Sequence, residues 1–378
     1  MEKSKLDINS DPYFKKFIEK RKLSKSSQTV YNGRLRAFCE FLDKNPSDLI
    51  EEAQEGNGKK INHYFNDYIE ELKRNGKSSS TIINRVDTVK AFFNEFNIDT
   101  EGLNNIIALD SHNLTPKKII SENQIKEALE ISSLRDKAVI LLHLSSGMEA
   151  TELRHLTYGD FINSIEEYID LDDSDKFNIN KIADKLFKMD KLVGTWKIEK
   201  NRTSKHYVTF NSPESTRAIL SYLMDRQRKN KPIKSLKDSL FVNSQNQVIN
   251  VSAHGSIFKR INNRANFGYL TKKRRFFSST MLRKYFKDKL SSSGLDEGVI
   301  NALLGQKLDS KINYQSQEQI AIFKDKYVIA LDSLSIEKEK IKTVESEEYK
   351  KLIEKLNEKD KELNEIRKQL KHIKQIIE

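Results

Sequence analysis

The chain is 378 residues long, 37% hydrophobic, and carries a formal net charge of +12 from 67 Lys plus Arg against 55 Asp plus Glu. That length provides for two modest domains with separate cores, and the basic balance favours a polyanionic partner, nucleic acid first, with compositional drift as the plainer alternative. The single cysteine, Cys39, excludes an internal disulfide and a cysteine-based zinc site. No apolar run approaches the roughly twenty residues that span a bilayer, and no charged-then-apolar leader opens the chain, so a soluble, cytoplasmic, nucleoid-associated protein without membrane contact is expected.

Residues 1–10 read as a disordered N-terminus. Residues 11–97 read as helical throughout: "SSQTVYNGRLRAFCEFLDK" and "SSSTIINRVDTVKAFFNEF" space apolar residues three and four apart behind serines suited to N-capping. Val30, Leu35, Phe38 and Phe41, like Ile82, Val86, Val89, Phe92 and Phe93, are expected in a core, and Cys39 as a small buried residue. The basic neighbours Lys22, Lys25, Arg34, Arg36, Lys77 and Arg85 face either DNA phosphates or solvent, and the pattern alone leaves both open.

A polar, weakly periodic stretch at 98–117 reads as a linker. From 118 to 335 the pattern is mixed. Ser121 with Glu122 restarts a helix near 122–131, a second follows near 134–144, and "TWKIEK" and "KHYVTF" flank "NRTS" as a β-hairpin would. Ser212 followed by Pro213 is a strong helix start. From 336 to 378 the composition turns to Glu, Lys and Ile. Tyr349, Leu352, Leu356, Lys359, Leu363, Ile366, Leu370, Ile373 and Ile377 recur at alternating steps of three and four, a seam with one polar break at Lys359 that reads as a coiled coil, and so a homo-oligomer, or as a long amphipathic helix that stands alone or packs on its own domain. The fold class expected is mainly α with a small β component (α+β).

Four segments in the second region, "SSGMEATELRHLTYGDF", "NRTSKHYVTFNSPES", "STMLRKYF" and "LLGQKLDSKINYQ", together resemble the tyrosine recombinase (phage integrase) family, particularly its archaeal and archaeal-virus members. The likeness spans about 11 to 335, and leaves out the heptad tail. It implies a helical, SAM-like core-binding domain, a catalytic domain with a β-hairpin, a mobile genetic element as source, and double-stranded DNA as partner. The family's first motif has an arginine where Glu149 stands. Its hairpin lysine falls at Arg202, with Lys200 and Lys205 close by as DNA-binding residues. Thr280 takes the histidine position of the third motif while Arg283 keeps the arginine, Gln306 takes an aromatic or histidine position, and Tyr314 is the expected nucleophile.

The chemistry explains these residue types. Attack by a tyrosine oxygen on a phosphodiester builds negative charge on the phosphoryl oxygens, which guanidinium forks stabilise. A lysine protonates the departing 5′-oxygen and a histidine moves the nucleophile's proton. The 3′-phosphotyrosine keeps the bond energy for rejoining, so neither metal nor nucleotide cofactor is required. Glu149 removes one donor, worth about 3–4 kcal/mol by analogy with oxyanion-hole deletions, and adds a like charge. Arg154, five positions on, lies about 140° around a helix and points elsewhere. Arg274 and Arg275 are better placed to substitute, and Lys284 joins them as a DNA-binding candidate.

Three functions follow from the sequence: a DNA recombinase or integrase using Tyr314, Arg283 and Arg202, a degenerate recombinase that grips DNA as an architectural or regulatory protein, and a coiled-coil assembly protein with a relic recombinase region.

Overall fold

A computed structural model of the protein describes residues 8–55, 59–100, 118–172, 175–200, 206–271, 274–306 and 316–336. The expected disorder at 1–7, most of the linker, Arg202, Lys205, Tyr314 and the heptad tail lie outside the described residues. The chain divides into two compact units, Met1–Lys117 and Lys118–Glu378.

The first unit is a helical bundle of α1 (Pro12–Lys20), α2 (Lys25–Leu42), α3 (Pro46–Glu55), α4 (Lys59–Arg74) and α5 (Ser79–Asn94). Local capping chemistry sets the helix starts. Ser24 caps α2 and Ser78 caps α5, each accepting from the backbone N–H three residues on. One oxygen of Asp11 accepts from the N–H groups of Tyr13 and Phe14, and its other oxygen accepts from the N–H and hydroxyl of Ser47, so one carboxylate ties the starts of α1 and α3 together.

Leu35, Phe38, Cys39, Val86, Val89, Phe92 and Phe93 form the core expected of them, with Phe65 and Tyr68 of α4 closing it through edge-to-face and tilted ring contacts. Burial also pushes the Cys39 thiol up to about 12, so it is an inert packing group. Val30 and Phe41 depart from the expectation, at 45% and 37% exposed. The buried stripe of α2 runs through Tyr31, Leu35, Phe38, Cys39 and Leu42, and at 100° per residue both exceptions sit about a quarter-turn or more off its centre.

The second unit is built around α7 (Leu134–Ser146), which is buried continuously from Ala138 onward. A helix apolar on all sides belongs in the middle of a domain. Its polar members Ser145 and Ser146 satisfy their hydroxyls on the carbonyls of Leu141 and Leu142, one turn back. Against α7 pack α11 (Pro213–Arg228), α13 (Ser279–Ser292) and the antiparallel hairpin of β1 (Gly194–Glu199) and β2 (His206–Asn211). The remaining helices are α6 (Glu122–Glu130), α8 (Ala150–His155), α9 (Tyr158–Ser164), α10 (Ile179–Leu186), α12 (Val251–Arg264), α14 (Glu297–Leu303) and α15 (Gln317–Leu334), and a second small sheet pairs β3 (Tyr269–Thr271) with β4 (Arg274–Arg275).

The hairpin and the helix starts at Ser121 and Ser212 match the sequence reading, the first with a capping box to Gln124 and the second with Pro213 in the first turn. Trp196 of β1 is buried and donates its indole N–H to Asn211 of β2, 2.7 Å away. Described residues are thus mainly helical, with two small antiparallel sheets.

Asp136, buried in the first turn of α7, accepts from Arg135 of its own helix and from Arg260 of α12. Two guanidiniums repay its desolvation and link two helices. Asp136→Ala should lower unfolding free energy by about 2 kcal/mol, toward the lower end for losing charged hydrogen bonds because both arginines can reach solvent. Urea denaturation of the variant measures this, and an unchanged midpoint would remove the link from the fold's supports.

Candidate functional site

The loop "SGME" leaves α7 through Gly147, which sits at φ +64° and donates its N–H to the carbonyl of His143. Left-handed φ favours glycine there. Space demands it too, because a Cβ would collide with the Phe286 ring and lie 2.8 Å from Leu304. Helix α14 ends the same way: Gly305 follows Leu304 at φ +62°, and a Cβ would lie 2.7 Å from the Tyr207 ring and 2.8 Å from the Lys200 side chain. The glycines of "SSGM" and "LLGQ" therefore bring two helix C-termini close together.

Arg283 of α13 fills the space between those termini. One guanidinium nitrogen donates to the carbonyl of Gly147 and the other to that of Leu304, at 2.8 Å. The carbonyls at helix C-termini lack intrahelical partners and carry partial negative charge, so a guanidinium satisfies both at once. The same Nη2 lies 3.6 Å from Glu149 Oε1, and Lys200 Nζ, just beyond β1, lies 3.8 Å from that same oxygen. Arg283 and Lys200 are 14% and 19% exposed and Glu149 is 49% exposed, so two half-buried cations meet one carboxylate at the protein surface.

A layer below, Glu152 is buried and its Oε2 accepts both from the N–H of Glu149 and from the hydroxyl of Tyr207, at 2.7 Å each. Tyr207 in turn presents its ring to the ammonium of Lys200, 5.7 Å from the centroid. Burial first, and then the charge of Glu152, hold the Tyr207 phenol well above its ordinary value, so it stays protonated and donates. Neither Glu152 nor Tyr207 stands out in the sequence as a site residue. The available signal was the acid three residues into α8, where a capping partner belongs.

The other expected residues are placed as follows. Thr280 lies exposed on the first turn of α13, one turn before Arg283, and Gln306 lies exposed beside Gly305 with its N–H on the carbonyl of Asn301. Neither touches the Glu149, Lys200 and Arg283 cluster among the described contacts. Arg275 donates to Asn263 and stands over the Tyr269 ring, while Arg274 and Lys284 are exposed. Among the described contacts, neither arginine of β4 reaches Glu149. Arg154 is near enough to His254 for its charge to disfavour protonation of that ring.

In the first unit, Arg34 donates to Asn84 and Thr88 of α5, and Arg85 donates to the Tyr68 hydroxyl, so both bind neighbouring helices. The Nε of Arg36 is buried without a hydrogen-bond partner among the described residues, and Lys77 is exposed between α4 and α5.

Beneath the "SGME" loop two imidazoles meet. His143 is bonded through Nδ1 to the carbonyl of Met148, and its Nε2 lies 2.9 Å from Nε2 of His254. A carbonyl only accepts, so His143 Nδ1 carries the proton, its Nε2 accepts, and His254 Nε2 donates. Burial is the main cause that lowers both rings, His143 to about 3 with the charge of His254 adding to it, and His254 to about 4 with Arg154 adding.

Residues 117–317 match the phage integrase family, and residues 11–96 match the N-terminal SAM-like domain of phage integrases. Among solved structures, the chain is similar to the Tn1549 transposon integrase in complex with a circular intermediate DNA, at 17% identity over 83% of this chain and 93% of that chain, with a TM-score of 0.53. It is similar to the same integrase in complex with transposon right end DNA at 16% identity over 83% and 93%, with a TM-score of 0.51. A lambda integrase dimer bound to a COC′ core site aligns at 13% identity over 84% and 94%, with a TM-score of 0.49. At these identities the likeness is one of fold. No curated protein matches the chain.

The histidine pair makes stability depend on pH. Both rings stay neutral when folded and take up protons when unfolded, so their contribution is full above about pH 6.5 and falls as pH drops toward 4. By pH 5 the loss should be about 2 kcal/mol per ring. Urea denaturation between pH 7 and 5 measures the slope, and His254→Gln should remove about half of it. A flat profile in the wild type would contradict the neutral pair.

Proposed function

Because the chain belongs to the phage integrase family, we propose that it is a site-specific tyrosine recombinase that grips duplex DNA and cleaves and rejoins it through a 3′-phosphotyrosine. The observation that carries this reading is the meeting of Arg283 and Lys200 on one oxygen, Glu149 Oε1, at 3.6 and 3.8 Å. A phosphoryl oxygen standing there would meet a guanidinium already locked in place by two carbonyls, and locked donors stabilise developing charge without reorganising.

In this reaction Tyr314 gives its phenolic proton to solvent and its oxygen bonds to phosphorus as the bond to the 5′-oxygen breaks. Arg283 holds the phosphoryl oxygens. Lys200 gives its proton to the departing 5′-oxygen, and Arg202, two residues further into the hairpin loop, adds a second cation. Rejoining is the reverse: a 5′-hydroxyl attacks the phosphotyrosine and Tyr314 leaves. Assignment of the nucleophile to Tyr314 gains support from its rivals, since Tyr207, Tyr285 and Tyr327 are buried, and Tyr207 and Tyr327 spend their hydroxyls on Glu152 and on the carbonyl of Ser145. Lys77, Arg274 and Lys284, all exposed, are the described candidates for phosphate contacts along the duplex. The heptads from Tyr349 to Ile377 would pair two copies of the chain.

Glu149 favours a second reading, a recombinase fold that binds DNA without cutting it. Its carboxylate stands where charge would develop, and a missing donor alone slows such chemistry about 10²–10³-fold.

A nicked suicide duplex carrying the element's attachment site separates the two. The wild type should yield a covalent adduct that Tyr314→Phe abolishes, and Glu149→Arg should form it about 10²-fold faster. Salt-sensitive binding with no adduct from either the wild type or Glu149→Arg would leave only the binding role.

A further inference from the structure

The contacts of Glu149 have an unusual form. Its own N–H is fixed on Glu152, yet its carboxylate is half exposed and holds Arg283 and Lys200 only at 3.6 and 3.8 Å, beyond the range of a good hydrogen bond. Charge, with no bidentate fork, keeps it there. Arg283 gives one N–H of each terminal nitrogen to Gly147 and Leu304, which leaves the second N–H of each for an anion, and neutral carbonyls leave its full charge in place. Lys200 rests on the Tyr207 ring, which leaves its charge in place too. Two half-buried like charges gathered at one point require an anion, and Glu149 is the anion the chain itself supplies.

We propose that the Glu149 carboxylate is a displaceable internal ligand: in the free protein it occupies the position of the DNA phosphate, and it must turn out to solvent before a phosphate can enter. This rests on the recombinase reading of the same site and adds its regulation. The anion site exists, but its own side chain keeps it closed. A phosphate, with more charge and tetrahedral oxygens, draws both cations to hydrogen-bonding distance and displaces an N-cap carboxylate that meets them only at 3.6 and 3.8 Å. Apparent affinity for any phosphate is lowered by the fraction of time the site stands closed.

Inorganic phosphate is the probe, titrated calorimetrically into the full chain. Glu149→Gln keeps the side-chain size and removes the charge, and should bind phosphate about tenfold more tightly than wild type, as expected for a site closed about nine-tenths of the time. Adding Lys200→Gln to that variant should abolish the gain. Equal affinities in wild type and Glu149→Gln overturn the proposal, as does a gain that survives Lys200→Gln, which would place the phosphate elsewhere on this basic chain. Should Glu149→Gln fail to fold, Glu149→Ser makes the same comparison, with thermal melting as the check. Tighter phosphate binding beside an absent DNA adduct would sink the recombinase reading and leave the internal ligand standing. An adduct without the phosphate gain would do the opposite.

Discussion

The Arg283 guanidinium joins the ends of two helices, and the geometry of the site follows from it. Gly147 and Leu304 each present a carbonyl that its helix cannot use, and one planar cation between them satisfies both. Such a group is oriented before any ligand arrives. It is also expensive to bury, and the nearby carboxylate of Glu149 offsets that cost. Position and charge balance thus come from different residues, which allows one to change while the other stays.

This separation bears on the departure of the chain from its family's pattern. If Glu149 stands at the family's arginine position, as the motif spacing implies, the scaffold of glycine turns, Glu152, Tyr207 and Arg283 is present around it. Glu152 carries much of that scaffold, since it receives the N–H that starts α8 and the hydroxyl of a strand residue whose ring seats Lys200. The aromatic ring and the buried carboxylate keep the hairpin cation near the arginine without bonding to it directly.

The parts legible in the sequence are those decided by a few neighbouring residues. Ser121 and Ser212 announce helix starts because a cap hydrogen bond spans three residues, and the hairpin is visible from its flanking strands. The family motifs pointed to Glu149 and Arg283 because their spacing survives substitution. Val30 and Phe41 were misplaced because apolar spacing marks a face only to within about a quarter-turn. The Glu152 to Tyr207 bond joins residues 55 positions apart, and the approach of Lys200 to Glu149 depends on how a hairpin folds over a helix end. Contacts created by tertiary approach leave no local trace.

The two glycines that bring the helix ends together also limit how this pocket can diversify. A single added methyl would strike the Phe286 ring and the Leu304 side chain at Gly147, and at Gly305 the Tyr207 ring and the Lys200 chain that rests on it. Glu149, Thr280 and Gln306 are exposed, so substitution there leaves the backbone in place. The surface around the two turns is therefore open to exchange, while the turns themselves are under strict steric control.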